Sequence, residues 1–282
     1  MKVIKNEKSA EIVGLCFGDG SLTRRHSGKN KGKLRFQMRG NITEDREHYD
    51  NYIKPLFDEI IAEIPTTRYN GKKPYYGIST ESSKICNYLV SLGVPVGIKK
   101  ELRTPEWILE DKNLMKSFLR GIFDTDGSVF CRKDYNYLEK GYTKIRIMFG
   151  STSENLILSI SKILESLEIK HLVIKPYIQK TRNWANLNRI QIDNLNVIKY
   201  FNLVGSNNPK HITKFEVWKR FGICPPRTTI EQRYSMLQES AKVLSAGVSE
   251  PGQMNTVEVT GQKPYTLVVA RVQIPSPAYN IQ

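Results

Sequence analysis

The feature that most restricts how this chain can fold is an internal repeat of long period. The segment IVGLCFGDGS (12–21) returns 107 positions later as LRGIFDTDGS (119–128). A basic loop and a short alternating segment follow each copy, GKLRFQMR (32–39) and YTKIRIMFG (142–150), with Lys33 matching Lys144 and Arg35 matching Arg146 at an offset of 111. Each half then carries apolar residues at helical spacing: Tyr49, Ile53, Leu56, Phe57 and Ile60 in the first, Leu156, Ile160, Ile163, Leu164 and Leu167 in the second. ICNYLVSLG (85–93) matches VIKYFNLVG (197–205) at an offset of 112. Drifting offsets are what insertions in loops produce. A second strand pair is carried by KPYYGIS (73–79) in one half and by LNRIQID (187–193), preceded by LVIKPYIQK (172–180), in the other. The expected fold class is therefore α+β, with two pseudo-twofold αββαββα halves over 1–112 and 113–227. Residues 228–282 are expected to form a C-terminal extension. A particle with approximate twofold symmetry suits a ligand with the same symmetry, and duplex DNA is one.

Charge points the same way. The 282 residues hold 43 Lys and Arg against 28 Asp and Glu, a formal net charge of +15. In 228–282 the four basic residues Arg233, Lys242, Lys263 and Arg271 cancel Glu231, Glu239, Glu250 and Glu258, so the surplus belongs to 1–227. A basic body of this kind favours a polyanion partner. No apolar run reaches the roughly 18 residues of a membrane span, and no secretion signal is evident at the start. The expectation is an intracellular protein, cytoplasmic or organellar, with no membrane partner. Cys16, Cys86, Cys131 and Cys224 are widely separated, which argues against a disulfide framework or a zinc ribbon and for a reducing compartment.

The two copies at 12–20 and 119–127 each read as an apolar helix ending in an acid and a glycine. Gly14 and Gly18 lie four apart, as do Gly121 and Thr125, so small residues share one helix face and permit close approach. Parallel packing of these helices would bring Asp19 and Asp126 together at two negative helix ends, a costly arrangement unless a cation neutralises it. Oxygen ligands with room for water suit Mg²⁺. Such a site within a basic surface predicts metal-assisted phosphodiester hydrolysis. One Asp-Gly alone would read as an ordinary turn; two, at the start of matching halves, do not.

These paired segments resemble the two motifs of the single-chain LAGLIDADG homing endonucleases. The first copy keeps Gly14, Leu15, Asp19 and Gly20 of that consensus, and the second keeps Leu119, Gly121, Asp124, Asp126 and Gly127. The likeness spans about residues 8–220. It implies two four-stranded sheets forming a DNA-binding saddle, and cleavage of both strands across the minor groove of a long target site by a monomer. By the same likeness Asp19 and Asp126 bind the metal, with the backbone carbonyls of Gly18 and Thr125 as further ligands and Mg²⁺ as cofactor, Ca²⁺ or Mn²⁺ substituting. Asp124 is expected to be structural or peripheral. The family also uses one lysine per half near the scissile phosphates. Lys100 and Lys210, 110 apart, are the first candidates, and Lys99 and Lys214 the second. The alternative within the family is a maturase that binds intron RNA without cutting DNA. A third reading is a DNA-binding module whose acids only end helices.

The segment 33–39 alternates fully: Lys33, Arg35, Gln37 and Arg39 are polar, and Leu34, Phe36 and Met38 apolar. A two-residue period buries one face and offers the other, and Arg and Gln are suited to base edges in the major groove. Lys144 and Arg146 are the repeat partners, with Met148 in the third place. Arg189 and Gln191 are expected to line another strand of the second half, and Tyr75 and Ser79 one of the first. Arg24, Arg25, Lys29 and Lys31 sit in a loop suited to phosphate contacts. Other chemistries find no support: His26, His48, His171 and His211 lack metal-ligand spacing, Gly18-Asp19-Gly20 closes a helix rather than opening one, and Gly28-Lys29 lacks the rest of a P-loop. Trp107, Trp184 and Trp218 are too dispersed for a stacking platform, and Trp107 and Trp218 read as packing residues. In the tail, 231–243 suggests a short helix and 265–273 a strand, within an extension expected to pack poorly. Its ending PAYNIQ faintly resembles the late strand of intein splicing domains. Met1 and Gln282 are not splicing residues, so no self-splicing is expected.

Overall fold

The computed structural model describes residues 3–133, 143–176, 187–245, 255–257 and 265–267. Trp184, the PAYNIQ ending and most of the strand expected at 265–273 lie outside the described residues. Among the described residues no helix is long and apolar enough to cross a membrane. The first half runs α1 (Glu7–Phe17), β1 (Gly20–Arg24), β2 (Leu34–Asn41), a helical segment made of α2 (Arg46–His48), a π-helical turn (Tyr49–Ile53) and α3 (Lys54–Ile60), then β3 (Thr66–Tyr69), β4 (Tyr75–Thr80) and α4 (Ser83–Leu92). After the short α5 (Glu106–Leu109), the second half repeats this order: α6 (Lys112–Asp126), β5 (Gly127–Arg132), β6 (Lys144–Ser151), α7 (Glu154–Ser166), β7 (Leu172–Ile174), β8 (Asn188–Asp193) and α8 (Leu195–Leu203). The chain continues with α9 (Pro209–Phe221), α10 (Ile230–Ser245), β9 (Asn255–Val257) and β10 (Tyr265–Leu267). The two halves form four-stranded sheets of the same order, β1-β2-β4-β3 and β5-β6-β8-β7. The expected αββαββα repeat is thus observed twice.

Local chemistry explains where the two motif helices start and stop. Asn6 caps α1 by accepting the Ser9 amide at 2.9 Å, and Asp111 caps α6 by accepting the amides of Asn113 and Leu114 at 2.7 and 3.2 Å. Strand β1 begins at Gly20 and β5 at Gly127, one residue past each acid. A Cβ on Gly20 would lie 2.6 Å from the Cys16 Cα, and one on Gly127 2.4 Å from the Phe123 carbonyl oxygen. The glycine of each Asp-Gly pair is therefore required because the chain turns back tightly over its own helix.

Alternation along the strands sorts core from solvent. Phe36, Met38, Leu22 and Ile78 are buried in the first sheet; Ile145, Ile147, Phe149, Ile190 and Ile192 are buried in the second. Ile53, Leu56 and Phe57 cover the first core, and Leu156, Ile160, Ile163 and Leu164 the second.

The chain divides into two compact units, Met1–Phe130 with Ile145–Ile212, and Cys131–Lys144 with Thr213–Gln282. The boundary between these units at Ile212/Thr213 lies ahead of the change in composition at 227/228. Within the second unit Val217, Phe221, Cys224 and Met236 form a core. Arg233 of α10 is fully buried, donating from Nε to the Thr213 hydroxyl at 2.8 Å and from Nη1 to the Thr228 carbonyl. Residues 228–237 are thus part of a packed body rather than a loose extension. Trp107 and Trp218 are packing residues, their indole N–H groups donating to the carbonyls of Leu92 (3.1 Å) and Thr143 (2.7 Å).

A paired-acid centre and its flanking sheet faces

Helices α1 and α6 meet at their glycines. A Cβ on Gly14 would fall 2.2 Å from the Phe118 carbonyl oxygen and 3.1 Å from the Gly121 Cα; one on Gly121 would fall 2.3 Å from the Glu11 carbonyl oxygen. One turn further on, a Cβ on Gly18 would lie 1.9 Å from the Thr125 hydroxyl oxygen and 3.4 Å from the Asp126 Cγ. Contacts that advance together along both helices mean that the helices run parallel, so their C-terminal ends lie side by side. A buried polar cluster locks this pair. Glu11 of α1 accepts from Arg120 of α6 (Nη2 at 2.7 Å), from the Tyr52 hydroxyl (2.7 Å) and from the Asn207 side chain (2.8 Å).

Asp19 and Asp126 follow at those two ends. Burial is the main force on both carboxyls, and it raises each above the usual carboxylate range. For Asp19 the nearby Asp126 and Asp45 carboxylates add to burial, Lys210 and Lys99 oppose it, and the result is about 7. For Asp126 the opposing charge is Lys99. Acids that resist ionisation because other acids and a low dielectric surround them are suited to a divalent cation. Among the described residues no three His, Cys, Asp or Glu side chains are grouped to hold a metal.

Two lysines flank the acids. The ammonium of Lys99 donates to the carbonyls of Cys16 (2.8 Å), Phe17 (3.0 Å) and Gly18 (2.6 Å), closing the C-terminal end of α1. Burial lowers its pKa, against the pull of Asp126 and Asp19. Lys100, the first candidate from the sequence, has an exposed side chain; its neighbour Lys99 is the one brought to the acids. Gly97, with φ +95°, turns the chain two residues ahead of Lys99. The Gly18 carbonyl, expected as a metal ligand, already accepts from Lys99. Thr125 directs its hydroxyl back to the carbonyls of Gly121 (3.0 Å) and Ile122 (3.1 Å). Lys210 does reach the acids, and its Nζ lies 2.7 Å from the Asp45 Oδ1. Lys214 lies beside Cys131 and Cys224 instead.

The loop 206–208 that places Lys210 is itself fixed to the motif helix. Asp124 is buried and ties that loop to α6. Its Oδ1 accepts the Ser206 hydroxyl at 2.5 Å, its Oδ2 the Asn207 amide at 2.8 Å, and its carbonyl the Asn208 side chain at 2.8 Å. Burial drives the Asp124 carboxyl up to about 7 in spite of these bonds. His48, 3.8 Å from Asp124, is pushed by burial down to about 3 and is neutral. Asn208 also accepts the Lys210 amide at 3.0 Å, with Pro209 as first residue of α9. Asn followed by Pro is a helix-start signature legible in the sequence, and it would have put Lys210 in a fixed first turn.

The outward face of the first sheet carries the expected row. Register places Gln37 between Ser21 and Ser79, Arg35 beside Thr23, and Arg39 beside Gly77. Arg39 donates to the Gln37 Oε1 at 2.7 Å and its guanidinium lies 4.5 Å from the Tyr75 ring centroid; Tyr75 in turn stacks on Tyr69 at 5.6 Å. Lys33 is exposed just ahead of β2. In the loop, Arg24, Lys29 and Lys31 are exposed, whereas Arg25 is ion-paired to Glu81 at 3.3 Å. In the second sheet Met148 sits opposite Gln191 and Gly150 opposite exposed Arg189. Arg146 is tied to Asp193 at 2.7 Å, and Gln191 donates to the same carboxylate at 2.8 Å. Lys144 opens β6, an inner strand of that sheet.

Comparison with known proteins agrees with this fold. The LAGLIDADG-like domain family model matches residues 113–205. An uncharacterized protein of Methanocaldococcus jannaschii is 27% identical over 181 residues, 64% of this chain and 61% of that protein. The tRNA-splicing ligase RtcB of Methanopyrus kandleri is 28% identical over 177 residues, 57% of this chain and 17% of that protein. The chain thus spans less than two thirds of the length of either relative. Among solved structures, a variant of the homing endonuclease I-DmoI with its target DNA and Mn has a TM-score of 0.50 at 16% identity, covering 71% of this chain and 93% of that one.

Proposed function

We propose, from the premise that residues 113–205 form a LAGLIDADG-like domain in a fold shared with I-DmoI, that this chain is a site-specific endonuclease that cuts both strands of DNA. The observation that carries the reading is the parallel α1–α6 pair, which sets Asp19 and Asp126 at neighbouring helix ends in a strongly basic body. A bound divalent cation, Mg²⁺ by the donor set, would supply charge stabilisation on the phosphate and a more acidic water. Asp19 and Asp126 would hold that ion. Lys99 and Lys210 set positive charge beside them, where charge develops on a phosphate in hydrolysis. The two sheets read the duplex as a saddle that spans a long target site. Intron-RNA binding without cleavage has no observation in its favour. A duplex carrying the uninterrupted DNA that flanks the gene is expected to be cut on both strands with Mg²⁺ and left intact with EDTA. Failure to cut in any divalent cation, with tight binding to intron RNA, would sink the nuclease reading.

The row on the first sheet yields a separate expectation. Gln37 donates to the Ser79 hydroxyl and accepts from Arg39, so it is positioned before DNA arrives. Gln37→Ala is expected to cost about 1–3 kcal/mol of target affinity and to relax sequence preference at one base pair. Lys31→Ala should instead weaken binding to all sequences alike and flatten the salt dependence by about one phosphate contact. Binding isotherms at several salt concentrations, on the target and on single-base variants, separate the two behaviours.

A further inference from the structure

The two lysines at the acid pair are not held alike. Among the described residues Lys99 is bound by backbone carbonyls, whereas Lys210 is bound by a carboxylate, that of Asp45. We propose that Asp45 is a positioning residue that holds the Lys210 ammonium off Asp19 and aims it at the phosphate. This inference rests on the nuclease reading and names a residue that reading does not require.

The Asp45 carboxylate is built to be rigid. Its Oδ2 accepts the Asn41 amide at 2.7 Å, and its own amide donates to the Asn41 carbonyl at 3.1 Å. The Asn41 side chain closes the same turn by accepting from the amides of Thr43 (2.9 Å) and Glu44 (3.1 Å). Behind it, a Cβ on Gly40 would lie 2.7 Å from the Asp45 Cβ, so the backbone of β2 packs directly against this side chain. The remaining oxygen, Oδ1, faces the Lys210 Nζ. Both side chains are largely buried, at 23% and 13% exposure for Lys210 and Asp45, which makes the pair stronger than one at the surface. Lys210 is anchored from its other end by the Asn208 cap and, through it, by Asp124.

The charge arrangement gives this clamp a purpose. A flexible four-carbon lysine beside an unneutralised acid pairs with that acid. A Lys210 ammonium that swung onto Asp19 would compete with a divalent cation for the same oxygens. Asp45 satisfies the ammonium 2.7 Å away and leaves Asp19 and Asp126 to the ion. The charge of Lys210 then acts on the phosphate from a fixed direction, and misplacing such a group by about 1 Å costs up to a hundredfold in rate.

The test is single-turnover cleavage with Mg²⁺ of the duplex carrying the uninterrupted flanking sequence, by wild type, Asp45→Asn, Asp45→Glu, Lys210→Met and the Asp45→Asn/Lys210→Met double variant. DNA affinity is measured beside it in Ca²⁺. Asp45→Asn is expected to slow cleavage roughly tenfold or more while affinity stays within about twofold. Asp45→Glu, which keeps the charge but moves it by one methylene, should regain part of the rate and cut faster than Asp45→Asn. The double variant should be no slower than Lys210→Met alone, because Asp45 acts through that lysine. An Asp45→Asn protein that cuts at the wild-type rate, a Glu variant as slow as the Asn variant, or a double variant in which the two losses multiply would each overturn the proposal. Those results leave the nuclease reading standing when the wild type cuts; a wild type that cuts no DNA removes both.

Discussion

Gly121→Ala is expected to destabilise the protein by about 3 kcal/mol, the upper end of what overpacking a core costs. The new methyl would sit 2.3 Å from the Glu11 carbonyl oxygen and 2.7 Å from the Leu15 amide nitrogen. Both obstacles are backbone atoms of an α-helix, so no side chain can rotate away, and α1 and α6 must separate. Separation also stretches the buried Glu11–Arg120 pair that joins the same two helices. Gly150→Ala makes the internal control. Its methyl meets nothing within 4 Å, so its cost is expected to be clearly smaller. Urea unfolding of both variants gives the comparison. A Gly121→Ala protein within about 0.5 kcal/mol of wild type would mean that the helices are not packed through these glycines.

Asp19→Asn is expected to lose cleavage by at least about 10²–10³-fold, the scale of removing one element of transition-state charge stabilisation, and at the same time to make the metal-free protein more stable at neutral pH. The sign follows from the raised pKa. The folded protein holds the Asp19 proton up to about pH 7, whereas the unfolded chain releases it near the ordinary 3.8. Between those values the folded state binds more protons, so the stability of the wild type falls as pH rises through that window and levels off above it. The asparagine variant lacks this slope at position 19. Its melting temperature should therefore gain on the wild type from pH 4 to pH 7. Mg²⁺ should raise the melting temperature of the wild type more than that of the variant, and more at pH 8 than at pH 5, because protons compete with the ion. A variant that melts below the wild type at pH 8 without metal would show that the carboxylate is not strained. An acid pair that destabilises the empty fold is the cost of a site prepared for an ion.

Much of this site is legible in the residues themselves. The repeat alone indicates that Asp19 and Asp126 are partners, since Gly14, Gly18, Gly121 and Thr125 recur at helical spacing beside them. Alternation in 33–39 separates Phe36 and Met38 from Arg35, Gln37 and Arg39, and the strand register agrees with it. Other parts carry no periodic signal. Lys99 and Lys100 are adjacent in a loop, and nothing in the sequence says which one turns inward. Asp193, which holds Arg146, and Asp45, which holds Lys210, are single acids in a chain with 28. Asp124 reads as structural or peripheral in the sequence, but its partners Ser206, Asn207 and Asn208, more than 80 residues away, are identified only by the fold.

The sequence by itself determined the twofold plan, the inward and outward faces of the strands, and the pairing of the two acids. Those properties follow from local backbone periods of 3.6 and 2 residues, and a repeat copies them without reference to the rest of the chain. The tertiary structure alone decided which lysine closes α1, which carboxylate holds Lys210, and how strongly the acids retain their protons. Each of these depends on how closely groups distant in sequence approach and how much water is left between them, and that is set by packing at Gly14 and Gly121.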